Sequence, residues 1–343
     1  MNFTRILAVT AMLAALAPIQ GAIAANTPIS IPVSGGIFDM VYDTQRGILY
    51  MTTGKANVLR FQMSTQTFLS PIQIAGNLLG IDISADTNSL AIADNSSNDD
   101  MVWVDDYNLV AGTLAKITGA SGESYVSGTF DPAFDAMGRI AVTATLDGSG
   151  AGIPMYIADP ATMTLRRVTG NNASDVTEDT VLQASPDHST VAYTAGDISS
   201  GPWGTVNTAK ATLDLKQDTN WFTYTIAVAN KGKFFAVPTY DGTFVANHKG
   251  VDTETIGKYA NTYYDGAAFD PKKHSILYQS LANSTTIQAF NIVSGKLLQT
   301  YQTGVSIPWD GNGSFGTGYL RIASDGSYLF MKSDAGAVAI PLR

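Results

Sequence analysis

The sequence contains no cysteine, which excludes disulfides, thiolate metal sites and a cysteine nucleophile together. Whatever stabilises the chain must be packing, strand pairing and hydrogen bonds. Basic residues are scarce: 20 Lys and Arg stand against 29 Asp and Glu, a formal net charge of −9. Nucleic acid and anionic membranes need a basic surface, so neither is an expected partner. Past the first two dozen residues no segment approaches the ~18 uninterrupted apolar residues of a membrane span, and none is expected. Histidine is limited to His188, His248 and His274. The sequence has no nucleophile elbow, phosphate-binding loop, dinucleotide fingerprint or zincin helix.

At the N-terminus, Met1 to Arg5 carries one positive charge and leads into the apolar run Ile6 to Ile19, followed by the small-residue site Ala22-Ile23-Ala24. This reads as a secretory signal peptide over residues 1–24. The expected mature chain, residues 25–343, is then exported to the extracellular space or the periplasm. Only 14% of residues are charged, while Gly alone numbers 32 and hydrophobic residues make up 45%. That balance suits many short strands joined by many turns and disfavours disorder.

One unit recurs along the chain: an alternating strand, a turn rich in Asp, Gly or Pro, and a second apolar strand. Its copies run from Asp39 to Met51, Ile81 to Ala93, Phe134 to Thr143, Leu182 to Thr194, Ile226 to Val237, Ala268 to Tyr278, and Leu320 to Met331. A third strand follows, seen in Met101–Asp105, Met155–Ala158 and Ile287–Asn291, and then a fourth. Spacings of roughly 40 to 54 residues bracket the blade period of a β-propeller. Seven copies predict an all-β, seven-bladed propeller forming a single domain. The seventh copy lacks a fourth strand, whereas Pro28–Val33 precedes the first hairpin with no partner of its own. Pairing the two closes the ring and removes exposed edges, and the two prolines suit an outermost strand.

Here the chain resembles the secreted and periplasmic propellers with YVTN-type repeats, the group that includes lactonase-like and streptogramin-lyase-like propellers. The residues that carry the resemblance are Gly80 to Asp94 with Val102 to Asp105. It implies the fold over the whole mature chain; the same fold hosts enzymes and binding modules. The lyase-like enzymes use a histidine with a metal-binding acidic residue on the substrate face. None of the three histidines falls there by motif: His188 and His274 lie in first-to-second-strand turns, where solvated polar residues are expected, and His248 lies near the third strand of the fifth blade.

Oxygen-rich loops leave room for a hard cation. Asp310, Asn312 and Ser314 alternate as a calcium or magnesium loop requires, and Asp94 to Asp100 is a second acceptor cluster; neither has the closing Glu of an EF-hand. Both also read as Asx or glycine turns.

Charge divides between the two ends of the blades. Loops joining strands two and three, and each blade to the next, receive Asp94, Asp99, Asp241, Asp265, Asp310 and further acids, with only Lys55 and Lys258 as clear bases. The opposite turns hold Arg46, Arg139, Lys231, Lys233, Lys272 and Lys273. The acidic face is also expected to gather Trp203, Trp309, Tyr240, Tyr263 and Phe315, which stack on sugars, hold cations or anchor a protein, or else plug the blade tops. The resulting expectation is a monomeric, non-catalytic scaffold that binds a small molecule, glycan or protein on that face. The alternative is a metal-dependent lactonase-like or lyase-like enzyme there.

Overall fold

The computed structural model describes residues 27–96, 101–122, 126–146, 152–169, 176–177, 180–196, 201–218, 222–239, 242–247, 253–256, 263–308 and 315–342. The expected signal peptide lies outside them. Among the described residues, 28 strands form seven antiparallel sheets of four strands. The chain is a seven-bladed β-propeller. In blades 1 to 6 the four strands follow one another in the sequence from the axis outwards. Blade 7 is composite: Leu320–Ile322, Tyr328–Ser333 and Gly336–Pro341 are joined on the outside by Ile29–Pro32. The closing pair is antiparallel, Ile29 opposite Ala339 and Pro32 opposite Gly336.

Blades meet face to face, so an inner strand is apolar on both sides. Met40 and Leu49 enter the core between blades 7 and 1, while their neighbours Val41 and Tyr50 enter the core between blades 1 and 2. Tyr193 faces blade 3 and the adjacent Ala192 faces blade 5. The period-two alternation of a strand therefore divides one blade between two cores. Small residues on inner strands let the sheets approach near the axis, and burial fades outwards. Leu78–Ile83 on the inside is buried throughout, whereas Thr67–Gln73 on the outside is mostly exposed.

The links at the two ends differ in length. On one face they run from Asp43 to Ile48, Ile83 to Ser89, Ala184 to Val191 and Ile322 to Tyr328. Aspartates set these turns by accepting backbone N–H bonds: Asp43 from Gln45 and Arg46, Asp135 from Met137 and Arg139, Asp270 from Lys272 and Lys273. This is the Asx-turn chemistry that makes Asp a turn former. On the other face the links vary more, from the two-residue Leu281 to Ser284 and Ser333 to Gly336 up to Leu146 to Met155, Arg167 to Val181 and Ile307 to Leu320, among the longest of the ring.

Gly336 shows how closely the closing strand sits. Its φ is +131°, and a Cβ there would lie 2.3 Å from the Ile31 carbonyl oxygen. Ile31 itself is fully buried among Met40, Phe61 and Phe330. Ile31→Ala should therefore cost about 2–5 kcal/mol of unfolding free energy, read by urea denaturation. Deleting residues 27–33 should lower the melting temperature and expose the edge of Gly336–Pro341; an unchanged melt would refute the role of the outer strand in closure.

Candidate functional site

The innermost strands of neighbouring blades do not pair in a ladder, so backbone groups beside the axis need side-chain partners. Carboxylates supply three seams. Asp39 of blade 1 accepts the Ile81 N–H of blade 2 at 3.0 Å, Asp82 of blade 2 accepts that of Phe134 at 2.8 Å, and Asp131 of blade 3 accepts that of Leu182 at 2.6 Å. Hydroxyls at the ends of second strands, and at the start of the third strand of blade 5, supply others. Thr194 donates to Thr223 at 3.0 Å, Thr243 to Gln279, and Ser280 to the Gly318 carbonyl at 2.6 Å. The last seam is ionic: Arg321 of blade 7 donates through Nη2 to Asp39 at 2.8 Å and reaches the Ile81 carbonyl at 3.4 Å.

These groups lie in layers along the axis. At the long-loop end Phe38, Phe130 and Phe315 pack with ring centroids 5.0–5.8 Å apart, and Tyr319 lies edge-on to Phe315 at 5.0 Å. With Leu79, Ala93 and Val181 they form an apolar plug. Lys332 covers it, its ammonium bonded to the Phe315 carbonyl and 5.8 Å from the Phe38 ring. Further along, Asp39, Asp131 and Arg321 are buried. Gly80 makes room for them, since a Cβ there would lie 2.5 Å from Asp131 Oδ1. At the short-turn end the axis opens into a cavity of about 100 Å³ lined by Tyr42, Asp82, Gln183, His188, Arg321 and Ser324, among others.

Burial controls the charges here. It pushes the Asp131 carboxyl well above the carboxylate range, and the nearby Asp39 adds to the shift while Arg321 and the Leu182 bond oppose it. Burial likewise raises Asp82, with His188 and Arg321 opposing. For Arg321 burial acts downwards but is outweighed, first by Asp39 and then by Tyr319, Asp131 and Asp82, so the guanidinium is held charged. Removing one partner of such a pair leaves a buried charge without compensation.

The residues singled out in the sequence have separate fates. Asp94 is fully buried. Its carboxylate accepts from Asn77 N–H at 3.0 Å, Ser96 N–H at 2.9 Å, Trp103 Nε1 at 2.8 Å and Lys116 at 3.2 Å. Burial would raise its pKa, but the bonds from Ser96, Trp103 and Lys116 overcome this and hold it low. Those donors occupy the oxygens that a ligand or cation would need. Trp203, expected as an exposed aromatic, is 3% exposed and packs on Phe235 with centroids 5.5 Å apart. Phe315 is plug rather than surface. Tyr263 and Asp265 are partly exposed beside the long-loop face. Asp99, Asp241, Asp310, Trp309 and Tyr240, together with Asn312 and Ser314 of the alternating oxygen loop, lie outside the described residues, as does His248. Among the described residues no three His, Asp or Glu side chains are grouped to hold a metal ion.

His188 departs from the expected solvated turn. It does sit in a turn, with φ of +55°, but is 9% exposed, and its Nδ1 lies 3.2 Å from the Phe134 carbonyl oxygen of the neighbouring blade. Sequence reasoning also left out Asp39, Asp82, Asp131 and Arg321. Their signal was present: each is an ionisable residue inside or at the start of an apolar inner strand, where a charge needs a specific partner.

A closed ring with a plugged axis, buried carboxylates at the blade seams and one open mouth defines this propeller. It is similar in structure to a chain from Kuenenia stuttgartiensis hydrazine synthase, with a TM-score of 0.66 and 13% identity, over 94% of this chain and 98% of that one. At that identity the likeness concerns the fold. No protein-family model and no curated protein matches the sequence.

Two outcomes follow for stability. Arg321→Met should cost about 3–5 kcal/mol by stranding the buried carboxylates, measured by urea unfolding. The second concerns Asp105, which burial raises from 3.8 to about 6 despite Lys116 at 3.1 Å. The folded state then holds a proton that the unfolded state releases, so this group's contribution is full below about pH 4 and is lost as pH rises through about 6. Asp105→Asn should flatten the stability profile across that window relative to the parent; parallel profiles would remove Asp105 as a cause.

Proposed function

We propose that this chain is an exported, monomeric, non-catalytic recognition propeller, akin to the YVTN-type propellers, that binds a small molecule, glycan or protein through its long-loop face. The observation that carries this reading is the asymmetry of the links. One end of the ring is built from tight Asx turns, and the other bears the connections Leu146 to Met155, Arg167 to Val181 and Ile307 to Leu320. Binding residues concentrate on long loops held by a rigid scaffold. The channel carboxylates support the non-catalytic part, because Asp39, Asp82 and Asp131 each hold a neighbouring backbone N–H through one oxygen and so join blade to blade.

The recognition residues in this reading are Asp99, Asp241, Asp265 and Asp310, with Trp309, Tyr240 and Tyr263 as contact surface. Trp203 and Asp94 act from beneath, as packing and as an anchor for the Asn77 and Ser96 backbone. A calcium or magnesium ion, if the protein takes one, belongs to the loop of Asp310, Asn312 and Ser314, and metal analysis of the purified protein reads that directly.

A glycan array and a pull-down supply the ligand, after which binding kinetics at two ionic strengths test the face. Changing Asp99, Asp241, Asp265 and Asp310 together to Asn should slow association of a cationic ligand about tenfold at low salt and flatten its salt dependence. Trp309→Ala should mainly speed dissociation, by about tenfold or more. Binding equal to the parent in both variants moves the site off this face.

A further inference from the structure

We propose that the short-turn mouth of the central channel is a second binding site, for a small organic cation: a primary ammonium of a few heavy atoms held by Gln183 and Asp82. This site lies at the opposite end of the axis from the loop face and stands independently of the reading given above for that face.

The first support is an unanswered acceptor. Gln183 is 8% exposed, lines the cavity, and its Oε1 has no hydrogen-bond partner. A buried amide oxygen left unpaired is costly, and a bound N–H donor removes that cost. The second support is the sign of the charge. Arg321 spends Nε and Nη2 on Asp39 rather than on Asp82, which lines the cavity. A cation beside Asp82 favours its ionised form, whereas an anion there opposes it.

The third support is the match of donors to acceptors. Gln183 Oε1 and the Asp82 carboxylate both accept, and an ammonium offers three donors. His188 closes the cavity wall beside them, its Nδ1 turned to the Phe134 carbonyl. Tyr42 lines the same cavity and brings an aromatic ring to its rim. The volume sets the size class: about 100 Å³ is several times the ~10–15 Å³ that one water needs, enough for a short alkylammonium.

The test uses the full chain and methylammonium chloride as probe, with sodium chloride at matched ionic strength and sodium acetate as controls, read by titration calorimetry and thermal unfolding. Methylammonium should give saturable heat and a raised melting temperature beyond that in sodium chloride, and acetate should not. Gln183→Met, which keeps the volume and removes the acceptor, should weaken methylammonium about tenfold or more. In the unaltered protein the Gln183 side-chain amide resonances should move with the same saturation curve, a readout that depends on no variant. The proposal is overturned by saturable acetate binding without methylammonium binding, by equal responses to methylammonium and sodium, by the absence of saturable heat, or by Gln183 resonances that stay in place.

Discussion

Neighbouring innermost strands lie side by side around the axis with no ladder between them, and the rest of the ring depends on how that gap is bridged. An unpaired buried N–H beside the axis costs too much to leave, and the plug of Phe38, Phe130 and Phe315 closes one end of the channel. Side chains on or beside the inner strands, and on the strands next to them, therefore reach across each seam. Asp39, Asp82 and Asp131 take neighbouring N–H groups, Thr194, Thr243 and Ser280 donate across others, and Arg321 joins the last blade to the first two.

Carboxylates do this well because one group can serve two partners, but they import charge into a place that cannot solvate it. The ring answers unequally. Asp39 receives the guanidinium, Asp131 is pushed towards its neutral form, and Asp82 sits where the channel widens. The same economy appears in blade 2, where a single Lys116 lies 3.2 Å from Asp94 and 3.1 Å from Asp105. Asp94 also has Ser96 and Trp103, and its pKa falls; Asp105 has only the shared lysine, and its pKa rises. Neighbouring carboxylates thus differ in acidity because of the number of donors each can call on.

The blade count, the hairpin positions and the closing strand were legible in the sequence because turn chemistry and alternation are local. Asp43 and Gly47 announce a turn whatever surrounds them. Burial at the blade tops was not local. Trp203 follows a polar, glycine-containing stretch and Asp94 opens one, so both look like surface, yet Trp203 packs on Phe235, and Asp94 is enclosed by Trp103 and Lys116 from the next strands of its own blade. His188 shows the same limit in the short turns, since a residue in a surface turn still points inwards when the turn faces the axis. The channel acids were visible as letters, but their role depends on contacts such as Arg321 with Asp39, which no window along the sequence contains.

The composite seventh blade also sets a timetable. Ile29 and its partner Ala339 are about 310 positions apart, so at ordinary rates of synthesis the first strand is made roughly 15–60 s before the strand it joins. Blades 1 to 6 can assemble as they are completed, each from contiguous chain, while Ile31 stays without its core and the inner face of blade 1 lacks a neighbour. Completion is consequently one late event in which an outer strand, a hydrophobic seam and the Arg321 pair engage together. Until then the nascent protein carries a sticky unpaired strand at its leading end, and avoiding misassembly there is a matter of kinetics rather than of final stability.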